Sequence, residues 1–144
     1  MQSWTKRWSL MSNPPASGIL DTSVVIDLEG IDPALLPATA GIAAITLAEL
    51  AAGPLVTEDL VERARRQERL QRVEMLFEPF PFGVRAARAY GHIYAAVLAA
   101  GRNPRPRVAD CLIAATAVAE EVPLYTRNPS DFRGLEHLLQ IVVV

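Results

Sequence analysis

Four short apolar runs, set between stretches of helical period, limit what this chain can fold into. Ile19-Leu20, Ile42-Ala43-Ala44-Ile45, Leu124-Tyr125-Thr126 and Gln140 to Val144 are too short for independent helices and read as strands buried on both faces. After the first run the period changes, with Val24, Val25 and Leu28 at helical spacing. Strand followed by helix, repeated along the chain, predicts a small central parallel sheet covered on both sides, a three-layer α/β/α fold joined by right-handed crossovers.

The segments between the runs fit that scheme. Gly30 to Gly41 reads as a loop with Pro33 and Pro37 and one helical turn between them. Thr46 to Leu50 is a brief helix stopped by Gly53-Pro54. Thr57 to Phe77 is a long amphipathic helix whose polar face mixes glutamate and arginine. Such a face is ordinarily solvated and laced by i, i+4 pairs, and it is also able to cradle a peptide or RNA. Phe77 to Phe82, with Pro79 and Pro81, is extended and suits a short edge strand. Val84 to Ala100 is a helix with Ala87, Tyr90, Ile93, Tyr94, Val97 and Leu98 on its apolar side, His92 on its polar side and Gly101 as its cap. Val108 to Ala117 is a helix that is apolar nearly all round.

Composition removes several function classes. At 144 residues, 51% apolar and 21% charged with net charge −2, the chain is expected to form one globular domain, residues 17–144, behind an irregular tail, residues 1–16. Met11 is an alternative start to Met1. The single cysteine, Cys111, excludes an internal disulfide and a multi-thiolate metal site, and fits a reducing compartment, the cytoplasm. Val108 to Ala119 is broken by Asp110 and too short to cross a bilayer. With only His92 and His137, a bound metal has to be held by oxygen. Lys6 is the only lysine, so all remaining positive charge is arginine, the side chain that grips phosphates and carboxylates with a planar fork, although codon bias in a GC-rich genome accounts for the same pattern.

Asp21 ends the first run, at the edge of a parallel sheet where ligand crevices form. Asp21, Thr22 and Ser23 are also good caps for the helix that follows. Asp110 is more telling, because a carboxylate in so apolar a helix is costly unless paired, with Arg107 for instance, or bound to a cation. Glu49 stands three residues after Thr46, the spacing of a capping box, and also just beyond the second strand, on Asp21's edge. Thr126, Asn128 and Asp131 follow the third run to the same rim, where Asp131 can instead cap the turn at Phe132. Converging carboxylates without histidine or thiolate suit Mg²⁺ or Mn²⁺, and phosphate-ester hydrolysis by a metal-activated water is the chemistry such a site supports.

In order, Leu20-Asp21-Thr22-Ser23, Thr46-Leu47-Ala48-Glu49-Leu50, the segment Ala109 to Ala117 and the segment Thr126 to Phe132 resemble the motifs of the PIN-domain ribonucleases, in particular the VapC toxins of bacterial toxin–antitoxin pairs. The resemblance spans nearly the whole chain after the tail. It implies a PIN-like fold and a metal-dependent endoribonuclease. Asp21, Glu49 and Asp110 would be the core metal-binding and catalytic acids and Asp131 the additional acid, with Thr22, Ser23 and Thr126 orienting ligands or water. Asn128 stands where some members carry an acid. It further implies a homodimer and a VapB-type antitoxin whose tail occupies the active-site groove. Glu49 is expected both to cap and to bind, since its carboxylate has two oxygens.

Arg102, Arg105 and Arg107 precede the Asp110 helix and, with Arg127, are the residues expected to grip the RNA backbone and offset its repulsion by the acids. Four rivals remain. A catalytically silent α/β binding module would spend its acids as caps and ion pairs. A phospho-receiver domain needs paired early acids and a late lysine, which this chain lacks. A Rossmann or P-loop enzyme needs a glycine-rich phosphate loop, also missing. A DNA-directed nuclease uses the same metal chemistry.

Overall fold

A computed structural model describes residues 16–144; the tail expected over 1–16 and the alternative start at Met11 lie almost wholly outside the described residues. The central sheet contains β1 (Ser17–Leu20), β2 (Thr39–Ile42), β3 (Leu124–Thr126) and β4 (Ile141–Val143), in the order β2-β1-β3-β4, all parallel. Among the described residues five α-helices connect or cover it: α1 (Thr22–Ile26), α2 (Ala44–Ala52), α3 (Leu60–Leu76), α4 (Val84–Ala99) and α5 (Val108–Glu120), with short 3₁₀ turns between, the last of them Pro129–Phe132.

The sheet divides the core because successive strand residues point to opposite faces. Ile19 and its neighbour Leu124 face α4 and α5, packing with Ile93, Val97, Ile113, Ala114 and Phe132. Leu20, Ile42 and Tyr125 face the other way, against Val24 and Val25 of α1, Leu50 of α2 and Val73 of α3. All four residues of β1 are buried, as a strand with neighbours on both sides requires. Tyr125 lies so close to Gly18 that a side chain there would collide with its ring.

Four expectations need correction. The second strand is Thr39–Ile42, not Ile42 to Ile45: Ala44 already begins α2, with Ala43 in the cap position. Thr46 is therefore inside a helix rather than at its N-cap, and its N–H bonds Ala43 O at 3.0 Å, so Glu49 does not close a capping box. Phe77 to Phe82 is not a strand. A single parallel bridge joins Phe80 to Ala43, since the flanking prolines have no N–H to continue it. On α4 the buried stripe is Ala86, Ala89, Ile93, Ala96 and Val97, whereas Ala87 and Leu98 are exposed and Tyr94 is 37% exposed against Tyr90. Gly101 does take the left-handed conformation that ends this helix, at φ +73°.

Elsewhere the reading holds. α3 begins at Asp59, whose carboxylate accepts from the N–H groups of Val61 and Glu62 at 2.9 and 3.0 Å. Its exposed face carries the expected pairs, Glu62 with Arg66 at 3.1 Å and Glu68 with Arg72 at 3.8 Å. No described helix is long and apolar enough to cross a membrane.

Candidate active site at the carboxyl edge of the sheet

β1 stops at Leu20, and Asp21 turns the chain from strand to helix with φ −63° and ψ 156°. Its Oδ1 accepts from Thr22 N–H at 2.8 Å, which makes Asp21 the N-cap of α1. Its Oδ2 accepts from Ser23 Oγ at 2.8 Å and from Thr126 Oγ1 at 2.9 Å. The side chain is only 3% exposed, so these donors take the place of water. Capping and site-building are thus one arrangement, because three donors leave part of the carboxylate's acceptor capacity free.

Thr126 ends β3 beside β1 and is itself buried. Its hydroxyl accepts from Asn128 N–H at 2.9 Å, and Ser23 Oγ accepts from Arg127 N–H at 3.2 Å. The two central strands are therefore laced together just beyond their carboxyl ends. Asn128 contributes its backbone, and its side chain caps nothing.

Glu49 reaches the same edge from α2. Thr22 Oγ1 donates to Glu49 Oε1 at 2.7 Å and lies 3.0 Å from the Oγ1 of Thr46, which is fully buried. Thr46 is the residue whose part in the site went unrecognised in the sequence. The three-residue spacing that resembles a capping box instead sets Thr46 and Glu49 on one helix face, both turned to Thr22.

Asp110 lies in the first turn of α5, partly buried. Among the described residues it makes no hydrogen bond or ion pair. Its carboxyl is pushed up to about 6, first by burial and then by the charges of Asp131, Asp21 and Glu49, with Arg107 opposing. Asp131, Asp21 and Glu49 thus sit within electrostatic reach of Asp110. Arg107 pairs with Asp131 at 3.8 Å, not with Asp110, and Asp131 lies within the 3₁₀ turn after β3 rather than capping it.

The other arginines are only partly available. Arg102 donates to Arg133 O at 3.2 Å and Arg127 pairs with Asp27 at 3.6 Å. Arg105 is exposed and its guanidinium has no partner among the described residues. Cys111 points into the core and not to the acids.

Among the described residues no three acidic, histidine or cysteine side chains stand ready-gathered around one ion. The donor chemistry is nevertheless all oxygen, and the charge that burdens Asp110 is what a cation would relieve. A small hard ion that binds one or two carboxylates and keeps most of its waters fits this set.

A PIN-domain family model matches residues 19–137. Ribonuclease VapC5 of Mycobacterium tuberculosis (strain ATCC 25618 / H37Rv) is 34% identical over 137 residues, 93% of this chain and 98% of that protein. Among solved structures, a chain of VapBC-5, a member of the VapBC family of toxin–antitoxin systems from M. tuberculosis, superposes with a TM-score of 0.78 at 33% identity, covering 90% of this chain and 98% of its own length. A chain of VapBC2 from Rickettsia felis, bound to a DNA fragment from the promoter, gives a TM-score of 0.68 at 21% identity over 89% and 98% of the two chains, a likeness of fold.

Proposed function

This chain belongs to the PIN-domain family, and on that premise we propose that it is an endoribonuclease dependent on Mg²⁺ or Mn²⁺, the toxin of a type II toxin–antitoxin pair. Its substrate is RNA, its regulator a VapB-type antitoxin that covers the site, and its working form a homodimer. The kinship with a ribonuclease and with a toxin–antitoxin complex supports the activity and the partner.

The observation that carries the reading is the state of Asp110. In a silent binding module the acids would be consumed as caps and ion pairs, yet Asp110 is neither, and three further carboxylates raise its proton affinity. Evolution has no structural reason to keep an uncompensated acid in an apolar helix. Holding a cation is a chemical reason.

Asp21 and Asp110 are the residues proposed to hold the ion, with Glu49 and Asp131 completing the acidic rim. A bound divalent ion lowers the pKa of its water and offsets charge on the leaving oxygen of a phosphodiester. Ser23 and Thr126 fix Oδ2 of Asp21, and Thr22 fixes Oε1 of Glu49, so neither carboxylate has to search for its rotamer when the ion arrives. Thr126, Ser23, Thr22 and Asn128 are thereby positioning residues. Arg107, paired with Asp131, keeps one positive charge beside the acids.

Cleavage of a mixed cellular RNA pool by the purified protein in Mg²⁺, Mn²⁺ or EDTA, beside the Asp110→Asn variant, tests this. Fragments that require the metal and disappear in the variant are expected. Equal behaviour of the two proteins in every buffer, with antitoxin shown to be absent, would overturn it.

A further inference from the structure

α3 carries five arginines, and four of them are engaged. Arg63 donates to Thr57 O at 2.7 Å, Arg65 and Arg66 pair with Glu62, and Arg72 pairs with Glu29 and Glu68. Arg69 alone has no hydrogen bond or ion pair among the described residues, although its side chain is partly withdrawn from water. A guanidinium offers five donors in a planar fork, and leaving it half-desolvated without an acceptor is unfavourable unless something outside the chain supplies one.

Its position says what that is. Arg69 lines a cleft of about 390 Å³ together with Thr22 and Glu49 of the acidic site. It also lines a second cleft of about 850 Å³ that extends to Arg72 and Arg127. Ile26 and Arg69 are the residues common to both, so the two clefts meet at them. The acids of the larger cleft are already neutralised, Asp27 by Arg127 and Glu29 and Glu68 by Arg72. Arg69 is thus the uncommitted cation at the junction, one step from the carboxylates.

We propose that Arg69 grips a backbone phosphate of the RNA flanking the one that is cut, the strand passing from the larger cleft over Ile26 and Arg69 to the Thr22–Glu49 edge. The proposal rests on the ribonuclease reading. An acidic site repels its own substrate, and of the arginines expected to offset this, Arg107, Arg127 and Arg102 are bound within the protein. Arg69 and the exposed Arg105 remain, on the α3 side and at the entry to α5.

The test measures binding of a fluorescent single-stranded RNA of random sequence in EDTA over a range of NaCl, for wild type, Arg69→Gln, Arg69→Lys and Arg88→Gln, the last an exposed arginine of α4 that lines neither cleft. Loss of one phosphate contact makes the slope of log affinity against log salt shallower by about 0.7, and weakens binding about fivefold near 0.1 M salt. Arg69→Gln should show both changes. Arg69→Lys should keep the slope, and Arg88→Gln should match wild type. In Mg²⁺, Arg69→Gln should raise KM for RNA and spare kcat. An unchanged slope in Arg69→Gln overturns the proposal while the ribonuclease reading stands, and so does an equal change in Arg88→Gln. Intact RNA binding with loss of antitoxin capture also overturns it and assigns Arg69 to the protein partner. Should the Gln variant unfold more easily than wild type, the Lys variant decides: a slope as shallow as that of Gln overturns the proposal. A wild type that neither binds nor cuts RNA overturns both readings.

Discussion

Asp21 and Asp110 face the same rim and are treated in opposite ways. Asp21 is almost wholly buried, and every direction from its carboxylate that the fold controls is met by a donor. The Asp110 side chain is less buried and receives no hydrogen bond, only the charge of three neighbouring acids, opposed by that of Arg107. One corner is finished by the protein and the other is left open. A site built to bind a cation needs both: a ligand whose geometry is fixed in advance, and a surplus of negative charge that the ion alone removes.

Asp110→Asn strikes that contrast hardest. RNA cleavage should fall by about a hundredfold or more, the scale of removing one group that stabilises transition-state charge. Stability should move the other way. In the folded protein the Asp110 carboxyl titrates near 6 against 3.8 ordinarily, so the folded state holds its proton more tightly than the unfolded one. Its effect is a loss of stability as pH rises from about 4 to about 6, amounting to about 2 to 3 kcal/mol. In EDTA, the Asn variant should therefore match wild type near pH 4 and unfold at a higher denaturant concentration above pH 6. Chemical unfolding at several pH values measures the difference, and a variant less stable at pH 7 would break the comparison.

Mg²⁺ sharpens it. An ion at a hundred times its dissociation constant should stabilise wild type by about 2.7 kcal/mol at pH 7. Asp110→Asn should gain far less. Thermal unfolding with and without Mg²⁺ reads both, and equal gains would place the ion elsewhere.

Thr126→Val attacks the finished corner while keeping the side chain's volume. Asp21 Oδ2 loses a donor inside the protein, and the part-buried Asn128 N–H loses its acceptor. Stability should drop by about 1 to 3 kcal/mol, without the pH signature of Asp110. Thr22→Val is the mildest: Glu49 is exposed and keeps its water, so the fold should be little changed while metal affinity falls about tenfold. Calorimetric titration with Mn²⁺ separates the two threonines.

The central strands were plain in the sequence because a strand with neighbours on both sides has only apolar residues to use; β3 is Leu124–Thr126 as read. β2 was misplaced because it is the sheet's edge strand and begins at an exposed Thr39, whereas the apolar Ala44-Ile45 beyond it belong to α2. Alanine explains the slip on α4. Ala86, Ala89 and Ala96 are buried and Ala87 is not, and a residue with so small a side chain marks neither face strongly. At the site, the acids could be read because a carboxylate after an apolar run conflicts with its surroundings. Thr46 and Arg69 offered no such conflict. A buried hydroxyl in a helix and one more arginine on a charged face look ordinary until the fold shows what stands opposite.

The bond from Thr126 to Asp21 joins residues 105 positions apart. Asp21 therefore leaves the ribosome long before the hydroxyl that completes its shell, and its carboxylate has to wait in water while most of the domain is still being made. A nascent chain lacking β3 has the acid but not the site. The order of synthesis alone delays assembly of the acidic centre until the fold is nearly finished.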